Sequence, residues 1–398
     1  MKIAYISADR GIPVFGPKGG AVHIRELVGT FASLGHDVHL IAARRGESDG
    51  ESVAATIVEV TPPDHADGTH GSGDKRQDQE RTGLAVADAI ADRLLDLHAA
   101  GPFDLLYERY SLWSAAGCRA AARLGIPCVV EVNAPLVLEQ RKYRRLVLGD
   151  RAEAIEGEVF ATAHAVVTVS DEVRNYALGR GADPARTYVV PNGVDPERFR
   201  PAVRPMPLAA ADDRFVVGFS GSLKPWHGLE PLMEAFSLLA RRREDYHLLV
   251  VGEGPMRQWI EGFVRGAGLA DRVTLTGWVS HDDLPRWLRL MDVAVAPYPP
   301  ISDFYFSPLK VFEYLAAGRP TVASEIGQIG GLIEDGATGL LVRPGDVADL
   351  AAAIERLHGG PALRRRIGQA AARRAQDFTW QGNARRIIEI AGALRRAA

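Results

Sequence analysis

The chain opens with an apolar run at 3–7, then a Gly- and Pro-rich stretch at 11–20, then apolar residues at helical spacing: Ile24, Leu27, Val28, Phe31 and Leu34. Gly35 suits the end of that helix, and 38–42 reads as the next strand. Strand, helix and strand in that order predict a right-handed βαβ crossover in a parallel sheet. The alternation continues, with strands predicted near 56–60, 104–107, 128–132, 165–169 and 188–190. Residues 62–83 break the rhythm: they are polar, with Gly68, Gly71 and Gly73, and predict a surface loop. A linker is predicted at 191–213, where Pro196, Pro201, Pro205 and Pro207 fall without apolar periodicity.

The rhythm then restarts. Strands are predicted at 215–218, 247–251, 273–276, 293–296 and 321–323, and helices at 229–239, from Met256, at 284–290 and at 309–316. Strands as apolar as Val293-Ala294-Val295-Ala296 suit sheets covered on both faces. The expected fold class is α/β: two doubly wound Rossmann-like domains, 1–200 and 201–379, facing across a cleft. The arginine-rich helix at 380–398 is expected to pack back on the first. Ligands then belong at the carboxyl ends of the strands.

Composition narrows the function. At 398 residues and 46% hydrophobic, the chain can bury the cores of two or three domains. A net charge of −3 gives no general drive toward nucleic acid. Cys118 and Cys128 cannot build a disulfide framework or a four-cysteine zinc site, which fits a reducing compartment. Neither a signal peptide nor an 18-residue apolar run is visible, so a cytoplasmic protein is expected. Only six of the 47 basic residues are lysines: Lys2, Lys18, Lys75, Lys142, Lys224 and Lys310. Where arginine is the default cation, a lysine in a turn carries more information, because ammonium is a compact point charge and guanidinium a planar fork.

Two segments place such lysines. In 306–318, Ser307 suits an N-cap and Pro308 a first helical residue, which puts Lys310 in the first turn. The helix dipole disfavours a cation there unless an anion binds beside it. Glu313 follows three residues on, on the same face, and can accept hydrogen bonds from a diol such as ribose; a plain Lys/Glu surface pair is the alternative. In 218–228, Gly221, Ser222, Lys224 and His227 join an apolar strand to a helix, where a phosphate-cradling turn is expected. His227 there serves equally to cap, to pack or to touch phosphate.

With these segments in view, the chain resembles the retaining nucleotide-sugar glycosyltransferases of family 4, with the GT-B double-Rossmann fold. The likeness is carried by 189–195 with Phe199 and Pro201, by 250–255 with Arg257, by 271–279 with Leu284-Pro285, and by 292–298 and 344–346. It implies a hexose-type sugar moved from a nucleoside diphosphate (UDP or GDP) to an acceptor hydroxyl, with retention, no protein nucleophile and no metal. A leaving-group phosphate oxygen would take the acceptor proton. Ser307, Pro308, Leu309 and Lys310 would lie over the diphosphate and sugar, Glu313 would bind ribose, and Trp278 and Val279 would frame the base. Glu253 belongs to the glycine turn after the second strand of the donor domain, and Gly19 and Gly20 match a glycine pair beside the phosphates.

Three positions depart from the family pattern. Tyr305 stands where the first of two paired glutamates is expected, Ser222 and His227 replace an arginine and a lysine, and Asn133 replaces a histidine. Lys224 and Lys310 are therefore expected to supply the positive charge, with Asn133 either a sugar partner or a local backbone partner. The acceptor, whether small molecule, lipid or glycan, is expected on the first domain. Arg141, Lys142, Arg144 and Arg145 form a basic amphipathic stretch there, either a peripheral contact with the inner membrane face or a solvated helix face. Glu108 and Arg109 line the acceptor site or a structural network, and Asp282 and Asp283 read as a helix cap pair rather than metal ligands. Other readings are a nucleotide-sugar 2-epimerase, a glycan phosphorylase, or a non-catalytic sugar-nucleotide sensor. A nicotinamide dehydrogenase is disfavoured by the missing G-x-G-x-x-G after Ser7.

Overall fold

Residues 1–16, 18–48, 51–62 and 74–397 are described by a computed structural model, in which the chain divides into two units, Met1–Pro191 with Trp380–Ala398, and Asn192–Thr379. Among the described residues the first unit holds seven strands: β1 (Lys2–Ser7), β2 (Asp37–Ala42), β3 (Thr56–Glu59), β4 (Leu105–Arg109), β5 (Cys128–Val132), β6 (Ala165–Thr168) and β7 (Thr187–Val189). They pair in parallel in the order β3-β2-β1-β4-β5-β6-β7. Alternate residues face opposite sides. Ile3, Tyr5, Leu105, Tyr107 and Val129 pack under helices Gly19–Ser33 and Trp380–Ala397, through Ile24, Phe31, Ile387 and Ile390. On the other face, Glu108 accepts hydrogen bonds from Ser114 Oγ and from Gly117 N (2.8 Å), so this carboxylate anchors helix Ala116–Leu124 rather than pairing with Arg109.

The second unit holds β8 (Phe215–Ser220), β9 (Tyr246–Val251), β10 (Val273–Leu275), β11 (Val293–Ala296), β12 (Thr321–Ser324) and β13 (Leu340–Val342), all parallel, in the order β10-β9-β8-β11-β12-β13. Val217, Phe219, Val250 and Val295 feed one core; Val216, Val251, Ala294 and Ala296 feed the other, under helix Leu309–Ala316. In each unit the strand order reverses once, between β1 and β4 and between β8 and β11. These are the switch points outside which ligands of such sheets bind.

The second switch point is held open by one side chain. β8 pairs with β11 only at Val217 and Gly218, although it pairs with β9 as far as Ser220. The Tyr314 hydroxyl fills the divergence: it accepts from Ser220 N (2.7 Å) and Ser220 Oγ (3.1 Å) and faces the Val295 carbonyl at 3.5 Å. Tyr314→Phe strips a buried N–H of its acceptor and is expected to cost about 1–3 kcal/mol in denaturant unfolding, with the m-value unchanged.

The structure corrects three local expectations. Lys75 to Gly83 is not loop but the start of helix Lys75–Ala100, capped by the Asp74 carboxylate on Arg76 N; residues 63–73 lie outside the described residues. The helix after Phe306 is capped at Pro308 and begins at Leu309, because Ser307 Oγ is spent accepting the Asn192 N–H (3.1 Å). Asp283 stands at the N-cap of helix Leu284–Leu290, but its carboxylate makes no capping hydrogen bond: Ser280 Oγ accepts from Asp283 N at 3.1 Å and donates to Asp283 Oδ2 at 3.0 Å.

Candidate functional site

The site of the second unit is built where β8 and β11 end. After Ser220 the chain turns at Gly221, whose φ of +130° only glycine adopts without strain. Its N–H donates to Val251 O (2.9 Å), and a Cβ on Gly252 would lie 2.0 Å from the Gly221 carbonyl oxygen, so the turns after β8 and β9 pack backbone to backbone. Gly228 closes the loop against the other side of the divergence: its Cβ would fall 1.6 Å from Pro297 O.

Lys310 enters from helix Leu309–Ala316. The residue is 8% exposed, and its Nζ lies 3.9 Å from the centre of the Phe219 ring and 5.6 Å from that of Tyr298. Nζ has no hydrogen-bond partner, and it points at Gly221, where a Cβ would stand 2.9 Å away. Burial pushes this ammonium down to about 7, partly opposed by Glu313. A buried, unpartnered amine aimed at a glycine turn is an arrangement that suits an anion.

Lys224 flanks the same turn, with Nζ 5.7 Å from the centre of the Trp226 ring. His227 sits within electrostatic reach of both lysines: burial first, then Lys310 and Lys224, push its imidazole down to about 3, against the opposing carbonyl of Ser222. That carbonyl lies 2.6 Å from Nδ1 and can only accept, so Nδ1 carries the proton and Nε2 is an acceptor. Where the resemblance led to a lysine, this chain has a neutral imidazole within electrostatic reach of Lys224 and Lys310.

The remaining sequence candidates of this unit separate into groups. Glu313, 7% exposed, meets His281 Nε2 through Oε1 at 3.3 Å. Tyr305 is buried and packs on Phe306, ring centres 4.5 Å apart, so an aromatic wall stands where the family's first glutamate is expected. Ser307 and Pro308 are buried while Leu309 is half-buried, and Asn192 Nδ2 holds the Ser307 carbonyl at 2.6 Å. Glu253 is exposed and pairs with Arg257 Nη1 at 2.8 Å. Trp278 is 57% exposed, beside half-buried Val279 and after Gly277, which bridges to Gly252; its free ring face suits a flat ligand such as a base. Exposed Ser222 contributes its carbonyl to His227.

In the first unit, Gly19 and Gly20 open helix Gly19–Ser33, and a Cβ on Gly20 would lie 3.5 Å from Arg109 Nη2. Arg109 Nη1 and Asn133 Nδ2 are buried without partners. Glu131 lies beside Arg109 in the register and meets His23 Nε2 at 2.7 Å. Burial raises this carboxyl, but His23, Arg109 and Tyr107 outweigh it and hold the group below its ordinary value. A cavity of about 650 Å³ opens at the carboxyl ends of these strands, lined by Arg10, Arg44, Glu59, Arg76, Trp113 and Arg144 among others. In the basic stretch nearby, Arg141 pairs with Glu153 and Arg145 with Asp74 at 2.6 Å. Among the described residues no helix is long and apolar enough to cross a membrane, and no three His, Cys, Asp or Glu side chains gather as a metal site.

Sequence reasoning missed His281, Arg198, Asn192 and the Phe219–Tyr298 cage. Only the cage had a local signal: Phe219 lies two residues before the Gly221 turn, and Tyr298 two after β11.

Two doubly wound parallel sheets, one in each unit, are the elements of a GT-B protein. The fold agrees: sucrose-phosphate synthase (tll1590) from Thermosynechococcus elongatus superposes with a TM-score of 0.77 over 100% of both chains at 22% identity. Anabaena Alr3699/HepE in complex with UDP and glucose superposes at 0.74 over 99% of this chain and 100% of its own, at 18% identity. The family model "Glycosyltransferase Family 4" matches residues 17–198, and "Glycosyl transferases group 1" matches 214–359. D-inositol 3-phosphate glycosyltransferase of Paenarthrobacter aurescens (strain TC1) is 31% identical over 312 residues, 75% of this chain and 74% of that one. Alpha-D-kanosaminyltransferase of Streptomyces kanamyceticus is 31% identical over 258 residues, 63% of this chain and 66% of that enzyme, just under two thirds of its length. The chain belongs to the family 4 glycosyltransferases.

Proposed function

We propose that this enzyme moves a hexose-type sugar from UDP or GDP to a hydroxyl of a small cyclitol-like polyol, with retention and without a metal. The observation that carries the donor side is the buried, unpartnered Lys310 ammonium facing Gly221 at the switch point. A departing diphosphate develops charge that Lys310, Lys224 and the first N–H groups of helix Leu309–Ala316 are placed to stabilise, the task otherwise given to a divalent cation. Trp278 faces the base and Glu313 the ribose hydroxyls, with Tyr305 and the His227 Nε2 acceptor near the sugar. The polyol acceptor is supported by the name of the D-inositol 3-phosphate glycosyltransferase relative and by the cavity of about 650 Å³, whose Trp113 and arginines suit a ring carrying an anionic group. The buried thiols Cys118 and Cys128 fit a cytoplasmic enzyme.

The test begins with a thermal-shift panel of UDP- and GDP-sugars. The cognate donor at a hundredfold excess over Kd stabilises the protein by about 2.7 kcal/mol. Turnover with that donor is then expected to survive chelator and to yield a product of unchanged anomeric configuration. Lys310→Ala or Glu313→Ala leaving kcat/KM within about twofold, roughly 0.4 kcal/mol, defeats the site assignment. Donor consumption without acceptor points instead to an epimerase, and a requirement for free phosphate to a phosphorylase.

A further inference from the structure

We propose that His281 and Arg198 act as positioning residues that hold the Glu313 carboxylate where it accepts the donor's ribose hydroxyls; the inference rests on the donor reading above. Arg198 Nη1 lies 2.9 Å from His281 Nδ1, and His281 Nε2 lies 3.3 Å from Glu313 Oε1. A guanidinium has no acceptor, so Nδ1 must accept and the imidazole proton sits on Nε2, facing the carboxylate. The hydrogen bonds run one way, from Arg198 through a neutral His281 to Glu313. The second carboxylate oxygen, Oε2, has no hydrogen bond among the described residues and is left for a ligand.

Local structure fixes each member. Two hydrogen bonds between Ser280 and Asp283 close the turn that holds His281, just before helix Leu284–Leu290. Asp195 Oδ1 accepts from Glu197 N (2.9 Å) and Arg198 N (3.2 Å), and Phe199 N donates to Asp195 O (3.1 Å), so Arg198 leaves a closed turn. The next residue, Phe199, packs its ring on His281, centres 5.4 Å apart. Glu313 is thereby held from two segments outside its own helix.

This arrangement also explains how Lys310 and Glu313, three residues apart on one helix, avoid quenching each other. Such a pair ordinarily closes into an ion pair. Here the carboxylate is drawn to His281, and Lys310 Nζ stays unpartnered among its aromatic rings. One helix can then present an amine to a diphosphate and a carboxylate to a diol.

The experiment titrates the full chain calorimetrically with UDP and GDP and with their 2′,3′-dideoxy counterparts, reading the ratio of Kd values, with thermal unfolding as a check on folding. The wild type is expected to prefer the ribose form at least tenfold, and Glu313→Ala to lose that preference. His281→Ala is expected to cut the preference at least fivefold while changing dideoxy binding less than twofold, and His281→Gln, which keeps a donor, to restore it to within threefold. Arg198→Ala should fall between, and adding it to His281→Ala should do no further harm, because both act through one carboxylate. Should His281→Ala keep the preference that Glu313→Ala loses, the relay is wrong and the donor reading stands. Should Glu313→Ala keep it, the ribose assignment fails and the relay with it. If His281→Ala does not fold, His281→Gln and Arg198→Ala decide the matter, and an unchanged ratio in Arg198→Ala counts against the proposal.

Discussion

Lys310→Met is expected to make the protein more stable by about 2–4 kcal/mol at neutral pH while lowering kcat/KM for the donor by about 10²–10³. Methionine matches the lysine stem in shape and suits contact with the Phe219 and Tyr298 rings. The gain comes from removing a buried amine. An unfolded chain holds the Lys310 proton up to about 10.4, whereas burial brings the folded value down to about 7. Between those values the unfolded state binds more protons, so this group makes stability rise with pH, by at most about 1.4 kcal/mol per unit. Below about 7 the penalty is full and constant; above about 10 it is gone. Denaturant unfolding at pH 7 and pH 9 checks the sign: the margin of Lys310→Met over wild type should shrink at the higher pH. A variant less stable than wild type, by the same amount at both pH values, would show that Lys310 contributes to folding rather than opposing it. The same titration predicts that donor kcat/KM falls as pH rises above about 7, because a neutral amine offers a diphosphate no charge.

Gly221→Ala should lower donor kcat/KM at least about tenfold and destabilise the second unit by about 1–3 kcal/mol. The backbone there, at φ +130°, lies outside the range of L side chains, and the new Cβ would stand 2.9 Å from Lys310 Nζ and 3.1 Å from its Cε. The lysine is caged by Phe219 and Tyr298, so it cannot yield without leaving its place. Two costs are thus combined, and a double variant separates them. In Lys310→Met, adding Gly221→Ala should still reduce stability but should lower kcat/KM little further, because its effect on donor turnover passes through the ammonium. Full additivity in kcat/KM would mean that Gly221 acts on the donor by another route.

How much of this was legible depends on whether a signal was local. The strands β8, β9 and β11 announce themselves as apolar runs, and the scarcity of lysine singled out Lys224 and Lys310 before any geometry was known. The polar start of helix Lys75–Ala100 hid because the apolar part of its buried face, Val86, Ile90 and Leu94, begins only after Gly83. What holds its first turns is tertiary: buried Glu80 accepts the backbone N–H groups of Val147 and Leu148, 67 and 68 residues away. Ser307 had every local mark of an N-cap and was claimed by Asn192, 115 residues upstream. Arg198 and His281 stand 83 residues apart in the sequence, and neither carries a motif that names the other. Side-chain meetings of that kind follow from the sheet order, which periodicity does not specify.

The first unit is written in two pieces, with helix Trp380–Ala397 covering a sheet whose last strand closes at Val189. On the ribosome, all of 192–379 is made before that covering helix emerges. The β1–β4 face carrying Tyr5 and Tyr107 therefore lacks part of its apolar roof throughout the synthesis of the second unit.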